Sequence, residues 1–331
     1  MTLYHFSGAG NNFILLDGRG EDCSAFRTPA RIVSVCSQYH TDGLMILGAA
    51  IQSTHPVIPS DSPVIPSDSP VIPSEAKESI LPSFHGLSVE SSIDFVMEFF
   101  NPDGTGGMMC GNGGRCITAF ADMLGIKPAE GRIYHFLAPD GPHTSEILSK
   151  DGPDCWVIRL HMKDVSGITP VLGGYFLDTG TRHYVRFVPD TESIDINTEG
   201  PRYRHDPAFA PIGANANFVE RRPDGVLRVR TFEKGVEGET LACGTGITAS
   251  ALAAWYDASL SSEAPSLSSE SPSLSSEAPP LSFRAERRNL STVHTPIRAR
   301  QDDLCVDFTP TGPSTFTSVY LTGPATLLAK Y

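Results

Sequence analysis

The chain has 331 residues, 40% of them hydrophobic and 19% charged, and a formal net charge of -13. That length and apolar content suffice for one large core or two smaller ones, and two lobes are expected. The acidic balance speaks against a nucleic-acid partner, because such affinity comes largely from Lys and Arg neutralising phosphates.

The amino end, MTLYHFSGAGNNFILLDG, has no basic lead and no apolar stretch of signal-peptide length, and no window elsewhere approaches a membrane span. A soluble, cytoplasmic protein with no membrane partner is expected. The seven cysteines are widely spaced and lack CxxC pairs, which points to free thiols in a reducing compartment.

In chain order, FILLD (13–17) and LMIL (44–47) read as strands from their β-branched and apolar content. An insert over about 53–90 follows, in which PVIPSDSPVIPSDSPVIPSEA (56–76) repeats a seven-residue unit three times. IDFVMEFF (93–100) reads as a strand and CITAFADMLG (116–125) as a helix; CWVIRLHM (155–162), HYVRFV (183–188) and VLRVRTFE (226–233) read as strands. ITASALAAWY (247–256) reads as a second helix, rich in Ala and entered through glycines. The second insert, over about 258–292, contains SLSSEAPSLSSESPSLSSEAP (259–279). A proline in every repeat removes a helical donor, so both repeats are expected to be extended and disordered, as tolerated loop expansions or as docking tails.

The two halves share an order. IDFVMEFF leads through NPDGTGG to Cys110, Gly111, Asn112, Gly113 and a helix; VLRVRTFE leads through KGVEGETLA to Cys243, Gly244, Thr245, Gly246 and a helix. The first turn of a helix carries unpaired N–H groups and the positive end of its dipole, so it attracts a carboxylate and is expected to lower a nearby thiol's pKa from about 8.5. A single cysteine in such a place is usually a small apolar side chain. Two equivalent cysteines facing one carbon from opposite lobes can invert its configuration, one removing the proton and the other returning it on the far side.

GAGNNF (8–13), TDGLMIL (41–47), FNPDGTGGMMCGNGGRC (100–116), GANANFV (213–219) and FEKGVEGETLACGTG (232–246) together resemble diaminopimelate epimerase, a pyridoxal-phosphate-independent amino acid epimerase family. The resemblance covers most of the chain outside the inserts. It implies an α/β fold of two pseudo-symmetric lobes, each a curved sheet wrapped around a central helix. The lobes would span 1–163, with 320–331 returning to the first, and 164–319. The reaction implied is the interconversion of LL- and meso-diaminopimelate for lysine and cell-wall synthesis, in a homodimer acting on a small amino acid.

Carried over residue by residue, Cys110 and Cys243 are the acid and base, and Asn11, Asn101 and Asn215 are substrate-binding amides. Gly111, Asn112, Gly244 and Thr245 supply helix-start contacts to the reacting carboxylate. His183 and Glu233 lie near the thiols, with the group serving each thiol left open, and Glu233 with Lys234 matches a Glu-Arg pair that grips the amino acid groups. Lysine there is a departure, being a point charge where arginine offers a planar fork. A second departure is TGTRHYV (179–185), with Thr181 and Arg182 where the family often has Asn-Pro; Arg182 is either a carboxylate ligand or a solvated side chain.

There is no P-loop, dinucleotide fingerprint, metal-ligand cluster or singled-out Schiff-base lysine, so neither cofactor nor metal is expected. The carbanion would then be stabilised by preorganised N–H dipoles. The alternatives are a related racemase or epimerase acting on proline or hydroxyproline, and a binding protein on the same scaffold with inactive cysteines.

Overall fold

Apolar side chains alternate between two faces along the first strands, and this decides what packs on each side. The computed structural model describes residues 1–51, 92–107, 109–129, 131–263 and 291–331, so the repeat at 56–76 and most of that at 259–279 lie outside the described residues. The first lobe contains β1 (Tyr4–Gly8), β2 (Asn11–Asp17), α1 (Pro29–Tyr39), β3 (Gly43–Gly48), β4 (Phe95–Phe100), α2 (Gly111–Met123), β5 (Ile133–Ala138), β6 (Gly141–Lys150) and β7 (Cys155–His161). Ile14, Leu16, Leu44 and Ile46 meet Ile32, Val35 and Cys36 of α1, while the alternate residues Phe13, Leu15, Met45 and Leu47 meet Ile117, Ala119 and Phe120 of α2. Both faces being covered, β2 and β3 pair in parallel and read as near-continuous apolar runs.

The second lobe repeats the plan. It contains β8 (Val165–Ser166), β9 (Thr169–Val171), β10 (Gly174–Asp178), β11 (Arg182–Phe187), α3 (Ile196–Arg204), β12 (Asn215–Arg221), β13 (Leu227–Glu233), β14 (Gly238–Thr240), α4 (Gly244–Glu263), β15 (Val293–Arg298), β16 (Asp303–Gly312) and β17 (Thr315–Lys330). The parallel pairs β11–β12 and β13–β15 correspond to β2–β3 and β4–β5. Tyr184, Ala216, Phe218 and Phe232 pack with Ile196 and Tyr203 of α3, whereas Val185, Val219 and Val229 pack in the core that contains α4.

The first lobe closes into an eight-stranded barrel, β1 through β7 in order with β17 pairing both β7 and β1. β17 serves both lobes: its first half pairs β16 and β8, its second half β7 and β1. Each central helix is enclosed by strands, and α2 is buried from Gly111 through Ala121. Gly and Ala let the sheets approach, and Thr118, Thr248 and Ser250 hydroxyls donate to carbonyls one turn back, so no polar atom is stranded.

The six sequence-read strands overlap β2, β3, β4, β7, β11 and β13, overrunning them by no more than two residues at an end, and the sequence-read helices overlap α2 and α4, the first overrunning α2 by two residues. Residues 259–263, expected to be extended and disordered, instead continue α4 as far as Glu263, before any repeat proline. Among the described residues no helix is long and apolar enough to cross a membrane.

Candidate active site

The central helices begin against one another. A Cβ on Gly244 would lie 3.2 Å from Gly111 Cα, and one on either glycine would come within about 3 Å of Leu321 of the shared strand β17. Glycine at both positions favours this close approach, which points two helix starts, with Cys110 and Cys243 immediately before them, at one place.

Cys110 is the N-cap of α2: its backbone is extended, and Sγ accepts the Gly113 N–H at 3.2 Å. Burial pushes its thiol up to about 11, against the pull of that N–H, with the Glu233 carboxylate adding to the rise. Cys243 is 7% exposed and shifts further in the same direction, through burial and then Glu233. The depressed thiol expected from the helix-start argument is therefore corrected: desolvation of the thiolate in the closed site outweighs the N–H groups. Both thiols are protonated near neutrality.

Glu233 ends β13 and acts electrostatically on both cysteines. Burial holds its carboxyl above the usual range, opposed by the Thr240 hydroxyl and reinforced by the Asp42 carboxylate. Lys234 is exposed, and among the described residues its ammonium has no ion-pair partner. Its backbone N–H donates to Asn215 Oδ1 at 2.7 Å.

His183 is fully buried, and desolvation pushes its imidazolium down to about 3, leaving a neutral ring. Asn217 Nδ2 donates to His183 Nδ1 at 3.1 Å and to the Tyr184 carbonyl, while Asn217 Oδ1 accepts the Thr231 hydroxyl. The ring proton thus sits on Nε2, which lies 2.9 Å from the hydroxyls of both Thr181 and Thr245. Thr245 Oγ1 is in turn 3.4 Å from Cys243 Sγ. Thr245 Oγ1 thus stands between the His183 ring and the Cys243 thiol. A Cβ at Gly246 would meet Asn217 Oδ1 at 2.4 Å, so this glycine is required by the same arrangement.

Of the amides, Asn11 Oδ1 accepts Asn112 Nδ2 at 2.5 Å, leaving Asn11 Nδ2 without a protein partner among the described residues. Asn112 is a strut: Nδ2 also donates to the Ala242 carbonyl of the other lobe, and Oδ1 accepts Nη2 of Arg115. Arg115 is completely buried, bonded also to the Gly111 and Pro324 carbonyls, and its pKa is lowered by desolvation. Asn215 Nδ2 donates to the Arg182 carbonyl and Thr181 Oγ1, so its amide is committed to holding the loop before His183. Asn101 Nδ2 bonds Thr105 and the Gly106 carbonyl, closing its own turn.

Arg182 alternates with His183 on β11 and so faces away from α4; it lies over the Phe176 ring and donates to the Phe209 carbonyl. Its guanidinium is thus engaged by protein groups on the side of β11 away from α4. Sequence reasoning missed Asn217, Arg115 and Leu321 as parts of the site. Asn217 had a signal in its alternation with Asn215 in GANANFV; Leu321, 78 positions beyond Cys243, had none.

The family model for diaminopimelate epimerase matches residues 175–270. A diaminopimelate epimerase of Flavobacterium psychrophilum is 32% identical over 256 residues, covering 76% of this chain and 81% of that one. The chain belongs to the diaminopimelate epimerase family. Its members are isomerases, and this is an enzyme of that class. The family's Chlorobaculum tepidum protein is 40% identical over 171 residues, covering 50% of this chain and 64% of that one, just under two thirds. The fold extends beyond the family. A phenazine biosynthesis protein of the PhzF family from Bacillus anthracis aligns over 100% of this chain and 98% of its own, with TM-score 0.61 at 10% identity. A hydroxyproline epimerase from Agrobacterium vitis aligns over 100% and 91%, with TM-score 0.56 at 11% identity.

Proposed function

We propose that this family member interconverts LL- and meso-2,6-diaminopimelate by a two-thiol mechanism, supplying precursors of lysine and peptidoglycan. The observation that carries this reading is the contact of the two helix starts at Gly111 and Gly244, which sets Cys110 and Cys243 about one small site under the influence of Glu233. The substrate α-carboxylate fits the N–H groups of both helix starts, and the α-ammonium supplies the counter-charge for Glu233. That counter-charge lowers the nearby thiols, so Cys110 ionises in the complex rather than in the free enzyme, releasing its proton to solvent as the substrate seats.

Cys110, the less perturbed thiol and the one accepting a backbone N–H, is the base toward LL-substrate, and Cys243 is the acid. Cys110 takes the α-proton, the electron pair delocalises into the carboxylate held by the helix N–H groups, and Cys243 donates its proton to the opposite face. Thr245 and neutral His183 hold the Cys243 proton and stabilise the thiolate left behind. The reverse reaction exchanges the roles.

Turnover assays with LL-diaminopimelate, L-proline and trans-4-hydroxy-L-proline test the substrate. Epimerisation of a proline substrate in place of diaminopimelate would overturn this reading, as would inertness toward all three. In heavy water, early product should carry solvent deuterium while recovered substrate stays unlabelled. Comparable label in both would contradict separate acid and base thiols.

A further inference from the structure

β15 and β16 place three metal-ligating side chains together on the face of the second lobe opposite the core. His294 pairs directly with Asp307, and Cys305 pairs with Pro296, diagonal to His294. Leu304, Val306 and Phe308 point inward and are buried, so Cys305 and Asp307 point outward with His294 beside them. One nitrogen, one sulfur and one carboxylate oxygen from the three residues all lie within 4.8 Å of one another. We propose that His294, Cys305 and Asp307 form a binding site for one zinc-class divalent cation.

The donor set is chemically selective. Imidazole with thiolate suits a borderline or soft ion, and thiolate plus carboxylate cancel a double positive charge, leaving a neutral complex. Tetrahedral zinc, with bonds of about 2.3 Å to sulfur and about 2.0–2.2 Å to nitrogen and oxygen, places its ligand atoms roughly 3.4–3.6 Å apart. Cys305 Sγ lies 3.1 Å from His294 Nδ1, 3.4 Å from its Nε2 and 3.9 Å from Asp307 Oδ1, so the three groups stand within about half an ångström of that separation. His294 Nδ1 is hydrogen-bonded to Asp307 Oδ1 at 2.7 Å, and this pair opens by a side-chain rotation when a cation replaces the shared proton.

Binding converts the Cys305 thiol to a thiolate, forms the metal–sulfur bond and releases one proton to solvent. β15 is the strand on which the chain re-enters the sheet after the second repeat, and the ion would fasten its second residue to β16.

The test uses the full chain after chelation and gel filtration, titrated with zinc by calorimetry and with cobalt(II) by absorption. One equivalent should bind with release of a proton, and cobalt should show a thiolate charge-transfer band. Cys305→Ser should abolish the band, and His294→Ala and Asp307→Asn should each weaken zinc by about 100-fold or more, since even residues behind the ligands are worth 10- to 100-fold. Epimerase turnover of these variants should match wild type, and a Cys110→Ala, Cys243→Ala double variant should still bind. The proposal fails if zinc binds no more tightly than millimolar. It fails equally if binding survives the three replacements, or disappears in the double variant, which would place the ion at the catalytic thiols.

Discussion

Replacing Thr245 by valine tests the link between His183 and Cys243. Valine keeps the branched shape and removes only the hydroxyl that lies 2.9 Å from His183 Nε2, 3.0 Å from Thr181 Oγ1 and 3.4 Å from Cys243 Sγ. On the proposed mechanism Cys243 passes through a thiolate in each turnover, and a hydrogen bond to a charged group is worth about 1.5–3 kcal/mol. At about 1.36 kcal/mol per decade, its loss should lower kcat/KM about 10- to 150-fold. The fold should tolerate the change, because His183 Nε2–H keeps Thr181 as its acceptor; a stability loss of about 1 kcal/mol is expected. Initial rates of LL- to meso-diaminopimelate conversion give the number, urea unfolding controls for folding, and Thr245→Ser should recover most of the activity. A valine variant within about threefold of wild type, or a serine variant as impaired as valine, would refute the relay.

Cys110→Ala and Cys243→Ala should each reduce epimerisation by more than the 100- to 10,000-fold typical of a lost acid or base, with circular dichroism unchanged; near-normal turnover in either would remove that thiol from the mechanism. Alkylation of Cys110 by iodoacetamide, followed by peptide mass spectrometry, should rise with pH well beyond the usual thiol range toward about 11; a plateau by about pH 8.5, the unperturbed thiol value, would contradict the burial argument. His183 is held neutral to about 3 in the fold but protonates near 6.5 when unfolded, so the unfolded state binds more protons between those values. Stability should therefore fall as pH drops below about 6.5, and His183→Gln should flatten this in urea midpoints at pH 7.5 and 5; an unchanged slope would count against it. Gly246→Ala forces a Cβ to 2.4 Å from Asn217 Oδ1 and should cost about 1–3 kcal/mol and most of the activity; a fully active, equally stable variant would show that Asn217 does not hold the ring.

Much of the site was legible because the chemistry sits beside its own structural signal. Cys110 and Cys243 each precede a glycine-rich helix start, and FILLD, LMIL and VLRVRTFE carry enough apolar content to be read as strands without knowing their partners. β14, with three residues, and β8, with two, are too short to carry a pattern, and exist because a longer strand lies beside them. The α4 extension to Glu263 was missed for another reason: composition over a window marks the repeat as a whole, whereas a helix ends only where a proline or a cap stops it.

The sequence by itself determined the family motifs, the duplicated order of elements and the two cysteines, since these depend on residue identity and local spacing. Tertiary structure decided the protonation of those cysteines, because desolvation is set by what the whole fold packs around a thiol. It decided that Arg182 turns away from the cleft and that Asn215 spends its amide on the loop before His183. It also decided that His294, Cys305 and Asp307 meet. Strand register fixes which of two faces a side chain takes and which distant residue lies across from it, and register is established only when the strands pair.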